Sequence, residues 1–78
     1  MSLDLAIKLL KKSLNKSVIV KIKGGKLIRG FLVGFDEHLN LVLRNAEFIH
    51  NETTEQVGDI VLRGDNVILI SPTPETEK

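Results

Sequence analysis

The chain has 78 residues, a formal charge of +1, no cysteine and two histidines. Disulfides and thiolate metal centres are therefore excluded, a histidine-based zinc site would need carboxylate help, and the basic excess of a strong non-specific duplex binder is missing. One small domain of this length buries only about 60% of its unfolded surface, so oligomerisation is the expected source of extra stability.

Leu3, Ile7, Leu10 and Leu14 recur at spacings of four and three, with Ala6 beside them. That stripe predicts an amphipathic helix of about three turns. Ser2 is its candidate N-cap, Asp4 suits the first turn, and Lys8, Lys11 and Lys12 fall towards the C-terminal end, where the helix dipole favours cations. Asn15 is a candidate left-handed stop. Such a helix either caps a small barrel or offers a basic surface to RNA or membrane. The same charges interrupt the leucines, so no signal-peptide core is present. The longest apolar runs, residues 31–35 and 67–70, are too short to span a bilayer. A soluble cytoplasmic protein without membrane contact is expected.

From Ser17 the period changes to two, with Val18, Val20 and Ile22 on one face. Gly24-Gly25 predicts a two-residue hairpin turn. The next strand, residues 27–35, carries Gly30 and Gly34 at positions expected to share a face. Paired glycines there predict a sheet bent hard enough to close into a small barrel. A phosphate-binding loop does not fit, because no Gly-Lys-Ser/Thr follows. Leu39, Leu41 and Leu43 begin a further strand, which continues through Ala46, Phe48 and Ile49 to a polar connection, residues 50–56. Two short strands follow, residues 60–62 and 67–70, apolar on both faces. One face of an isolated antiparallel barrel should be wet, so these strands predict an edge that pairs with a neighbouring copy. The expected organisation is a single mostly-β domain over residues 1–72, with one N-terminal α-helix and five antiparallel strands, and a flexible tail over 73–78.

Two polar turns carry the chemistry, Phe35-Asp36-Glu37-His38-Leu39-Asn40 and Leu62-Arg63-Gly64-Asp65-Asn66. His38 and Asn40, two apart at a strand start, should leave one face while Leu39 enters the core. A curled sheet can bring Arg63 to the same end. Phe31, Phe35 and Phe48 all lie in apolar patterns and are assigned to the core. Stacking against an unpaired base would then fall to the His38 imidazole and the Arg63 guanidinium. Asn40 can accept from a uracil N3–H and donate to O4, or after a flip read cytosine. Asp36, an acceptor only, is placed to hold the uracil-reading orientation. Singly, each residue has a plainer role: His38 as a turn residue, Arg63 paired with Asp59 or Asp65, Gly64 as a tight-turn glycine.

Together these residues resemble the Sm and Sm-like (LSm) family, its archaeal members in particular, over residues 3 to 72. The first family signature is recognisable in Gly30-Phe31-Leu32, Gly34-Phe35-Asp36 and His38-Leu39-Asn40-Leu41. The second is recognisable in Ile60-Val61-Leu62-Arg63-Gly64-Asp65-Asn66-Val67. The bacterial Sm-like RNA chaperone is a poorer match in that second signature. The resemblance implies a helix on a strongly bent five-stranded open barrel of SH3-like form. Identical subunits would close a ring, usually of seven, by pairing the fourth strand of one with the fifth of the next. It implies uridine-rich single-stranded RNA around the pore, one base per subunit, in RNA processing or ribonucleoprotein assembly, with other ribonucleoprotein components as further partners. His38 and Arg63 would sandwich the base, Asn40 would read its edge, and Gly64 and Asp65 would line the pocket. No cofactor or metal is implied.

The same residues admit two rival readings. In one, the chain is a protein-binding barrel or assembly scaffold whose polar turns serve only structure. In the other, Asp36, His38 and Asp65 form an acid/base set for RNA cleavage. No further base, nucleophile or metal cluster supports an enzyme, so a binding protein is expected.

Overall fold

The computed structural model describes residues 3–73. An N-terminal helix, α1 (Leu3–Ser13), precedes five strands: β1 (Lys16–Ile22), β2 (Leu27–Phe35), β3 (Leu41–His50), β4 (Thr53–Leu62) and β5 (Val67–Pro72). They form one antiparallel sheet in the order β4-β3-β2-β1-β5, which leaves β4 and β5 as its two free edges.

The leucine stripe folds as its spacing predicts. Leu10 is buried and Ile7 and Leu14 are half-buried, while Leu3 stays exposed at the lip of a groove between α1 and β5. Asn15 ends the helix at φ 63°, and its N–H donates to the Leu32 carbonyl at 2.6 Å, tying the helix end to β2. The Ser2 cap lies outside the described residues. Of the tail expected over 73–78, only Thr73 is described. Its backbone N–H donates to the Ser17 carbonyl at 3.0 Å, so β5 stays fastened to β1 at that point.

Val18, Val20, Ile28, Leu32, Leu41 and Leu43 form the fully enclosed centre of the core. Gly30 suits that position because even a methyl would be crowded: a Cβ there would lie 3.1 Å from Leu43 Cβ and 3.3 Å from Ala46 Cβ. Gly34 does not share its face. The β2–β3 register shifts between Leu32 and Gly34, so one extra residue, Val33, turns the following strand over. Gly34 then pairs with the exposed Val42, and Phe35 packs inward. The curvature expected from two inward glycines comes instead from one close-packed glycine and from bulges. A further pair of irregularities falls in β3 and β4 at residues 43–47, where Asn45 has φ 53° and Gly58 φ 83°.

Three other expectations change. The β1–β2 connection is a three-residue loop, since Ile22 and Lys26 still pair across it and Gly24 and Gly25 both take positive φ. The polar stretch 50–56 is no loosely structured connection. Asn51 and Glu52 make a tight turn, with Asn51 at φ 56°, and residues 53–56 are the first half of a ten-residue β4. Their polarity suits an exposed edge strand. Phe31 is not core either: it is 42% exposed, opposite Ser17 and Arg44.

Candidate functional site

The β2–β3 connection is a compact loop closed by its own backbone. Leu39 N–H donates to the Asp36 carbonyl at 3.0 Å, and Asp36 N–H to the Asn40 carbonyl at 3.2 Å. Leu39 has φ 63°, a left-handed conformation that costs a branched residue about 1–2 kcal/mol. Burial offsets that cost, since Leu39 packs against the core. His38 and Asn40 therefore flank Leu39 on a turn, because β3 begins only at Leu41.

Asp36 organises this turn. One carboxylate oxygen accepts from the backbone N–H groups of His38 at 2.9 Å and Asn40 at 3.0 Å, and the other accepts from Asn40 Nδ2 at 3.0 Å. The Asn40 side-chain amide foremost, then its backbone N–H, hold the Asp36 carboxyl below the ordinary aspartate range, with the His38 N–H and charge adding to them against a small desolvation effect.

The second polar turn docks on the first. A short 3-10 turn, Gly64–Asn66, joins β4 to β5, and Gly64 N–H donates to Asn40 Oδ1 at 2.7 Å. The approach is so close that only glycine fits. A Cβ on Gly64 would lie 2.9 Å from the Leu39 carbonyl carbon and oxygen and would overlap the His38 carbonyl oxygen. Lys23 N–H donates to the Asn66 carbonyl at 2.9 Å, holding the far side of this turn to the β1–β2 loop.

Asp36, His38, Asn40, Arg63 and Gly64 are thereby brought together, with Asp65 one residue beyond. His38 and Arg63 are both exposed, His38 within the turn that Asp36 holds and Arg63 next to Gly64. Arg63 reaches Asp65 only at 3.9 Å, with both side chains largely in solvent, a pairing too weak to fix the guanidinium. Asp59, the other partner considered for Arg63, instead faces Arg44 at 3.7 Å and accepts from Asn45 N–H at 3.1 Å.

The amide orientation follows from its partners. Asp36 can only accept and the Gly64 N–H can only donate, so the NH2 faces Asp36 and the oxygen faces Gly64. A flip would set oxygen against carboxylate and N–H against N–H. What remains free is one Nδ2 proton and one Oδ1 lone pair. Sequence reasoning foresaw the Asp36 half of this clamp and missed the Gly64 half. The one available signal was a glycine between two charged residues in a turn, a pattern that also fits an ordinary bend.

Among the described residues no three His, Cys, Asp or Glu side chains converge to hold a metal ion, and no helix is long and apolar enough to cross a membrane.

The family model for the LSM domain matches residues 8–72. An snRNP Sm-like protein of Archaeoglobus fulgidus is 51% identical over 69 residues, covering 87% of this chain and 90% of its own. A heptameric archaeal Sm protein of known structure superposes with a TM-score of 0.83 at 43% identity, covering 86% of this chain and 98% of its own. The Pyrococcus abyssi Sm protein, solved in complex with a uridine heptamer, superposes with a TM-score of 0.82 at 47% identity, covering 86% and 96%.

Proposed function

Because the chain belongs to the LSM-domain family of Sm-like proteins, we propose that it binds uridine-rich single-stranded RNA as a homo-oligomeric ring, one base per subunit. The observation that carries this reading is the clamped Asn40 amide. Its free proton and lone pair match the O4 acceptor and N3–H donor of uracil. Cytosine presents an amine and a bare N3, so both contacts would set like against like. Each buried polar group left unpaired costs about 1–3 kcal/mol, which makes the clamp a discriminator as well as a grip. His38 and Arg63 supply the two flat groups that cover the ring faces, since the exposed Phe31 pairs with Ser17 and Arg44 in mid-sheet, away from both turns. Asp65 contributes a carboxylate at the pocket edge. Both Asp36 oxygens are engaged in holding the loop, which suits a binding role rather than acid/base chemistry.

The free edges support the ring. β4 exposes Val61 at 68% and β5 exposes Ile68 at 55% and Leu69 at 49%, and an apolar groove lies between α1 and β5. Pairing β4 of one copy with β5 of the next satisfies both edges and covers these side chains. Structural neighbours include heptameric archaeal Sm proteins, which favours seven copies. Repetition also explains how a chain of charge +1 holds RNA, because sites joined on one strand raise each other's effective concentration.

The test is binding of labelled oligouridine and oligocytidine at one salt concentration. Oligouridine should bind at least about tenfold more tightly. Oligouridine binding that is absent, or that survives Asn40→Ala unchanged, sinks the base-reading role and leaves the protein-scaffold reading standing.

A further inference from the structure

A second concavity lies where β2 begins, β3 ends and β4 begins. Across these strands Ile28 opposes Phe48, Phe48 opposes Glu55, and His50 opposes Thr53. Alternation puts Lys26, His50, Thr53 and Glu55 on the same face as Phe48, continuing the core-facing surface past the last apolar row. Together with Phe48 they line a cleft of about 320 Å³, a volume suited to a small flat ligand. Lys26 Nζ stands 5.3 Å from the Phe48 ring centroid.

The charges here differ from those on the opposite face of the same strands. There Arg29 Nε donates to Glu47 at 2.8 Å, and the other Glu47 oxygen accepts from Gln56 at 2.8 Å, so each partner is matched. Among the described residues, Lys26, His50 and Glu55 enter no ion pair, although they line one cleft. Thr53 has already committed its hydroxyl proton to the His50 carbonyl at 2.9 Å, so towards the cleft its oxygen can only accept. Glu55 can only accept as well. A cation, an aromatic ring and two obligate acceptors thus share the site.

We propose that this cleft is a second RNA site, for a base carrying an exocyclic amine. The base stacks on His50 and takes the place of Lys26 over the Phe48 ring, the amine donates to Glu55 and Thr53, and the backbone phosphate meets the displaced Lys26. Uracil has no amine and would set O4 against the Glu55 carboxylate. The cleft therefore rejects the base that Asn40 accepts. The proposal shares with the uridine reading only its ligand class.

Labelled ten-residue oligoadenosine, oligocytidine and oligouridine, titrated against the intact oligomer at fixed salt, separate the two sites. Asn40→Ala, with the largely exposed Arg63→Ala as a companion that leaves the loop contacts in place, should weaken oligouridine and spare the amine-bearing strands. Lys26→Ala and Glu55→Ala should each weaken oligoadenosine or oligocytidine at least about fivefold, with oligouridine unchanged. The proposal is overturned if neither amine-bearing strand binds, if their binding falls together with that of oligouridine in Arg63→Ala, or if Lys26→Ala and Glu55→Ala leave it intact. Loss of oligouridine binding alone would count against the first site and not against this one.

Discussion

Gly64→Ala puts the junction of the two polar turns under direct strain. The added methyl would overlap the His38 carbonyl oxygen and sit 2.9 Å from the Leu39 carbonyl group. These neighbours are backbone, so no rotamer change relieves the overlap, and the two turns must move apart. Overpacking of this kind costs about 1–3 kcal/mol. Separation also loses the 2.7 Å bond from Gly64 N–H to Asn40 Oδ1, worth about 1 kcal/mol. A total of about 2 kcal/mol or more lowers Tm by roughly 8–16 °C for a domain of this size, measured at fixed protein concentration. The Asn40 oxygen is freed at the same time, so oligouridine affinity should fall and preference over oligocytidine should narrow. Gly34→Ala is the control, because a Cβ there meets only the Val42 side chain, at an ordinary 3.9 Å from Cγ2 and 4.0 Å from Cβ. It should change stability by less than about 1 kcal/mol. A Gly64→Ala protein melting within about 2 °C of the parent, with unchanged oligouridine affinity, would refute the reasoning.

The remaining predictions concern the carboxylate and the edges. Asp36 has a folded pKa below its unfolded one, so its contribution is present above the ordinary value of 3.8 and is lost as pH falls through the lower, folded value. The Asn40 side-chain amide resonances, followed from about pH 5 downwards, should shift with a midpoint below that value, and a midpoint at or above it would contradict the hydrogen-bonded arrangement. Lysine at Val61 or at Ile68 places a charge on an edge that the ring must bury. Light scattering should then report monomers or small fragments, whereas an intact ring from either variant would exclude β4–β5 pairing.

Much of this architecture was legible in the residues. The leucine stripe marks α1, and the alternation of Val18, Val20 and Ile22 marks β1 with its correct inner face. Strict alternation misleads wherever a strand carries an extra residue. Nothing in Leu32-Val33-Gly34 announces a bulge, so counting by twos placed Gly34 on the wrong side. Residues 53–59 of β4 fall outside the expected strand because an exposed edge strand needs no apolar periodicity: Thr53, Thr54, Glu55 and Gln56 pair with β3 without presenting an apolar face. At the site, residue chemistry singles out His38, Asn40, Arg63 and Asp36 as candidates, and the Asp36–Asn40 contact is the part of that expectation the structure contains. The Gly64 contact joins residues 24 apart in sequence, and its distance depends on how far the sheet curls. Local pattern carries no measure of that.

The two free edges have a consequence for counting. Joining β4 of one copy to β5 of the next is a heterologous contact, in which each subunit offers one edge and receives another. Such a chain of contacts closes only when the rotation at each step divides a full turn evenly. That rotation is shaped by how the sheet bends between its two edges, at the irregularities around Val33, Asn45 and Gly58 and at Lys21–Ile22. Substitutions along the edges govern whether copies join. Substitutions at the bulges govern how many copies it takes to come back to the start.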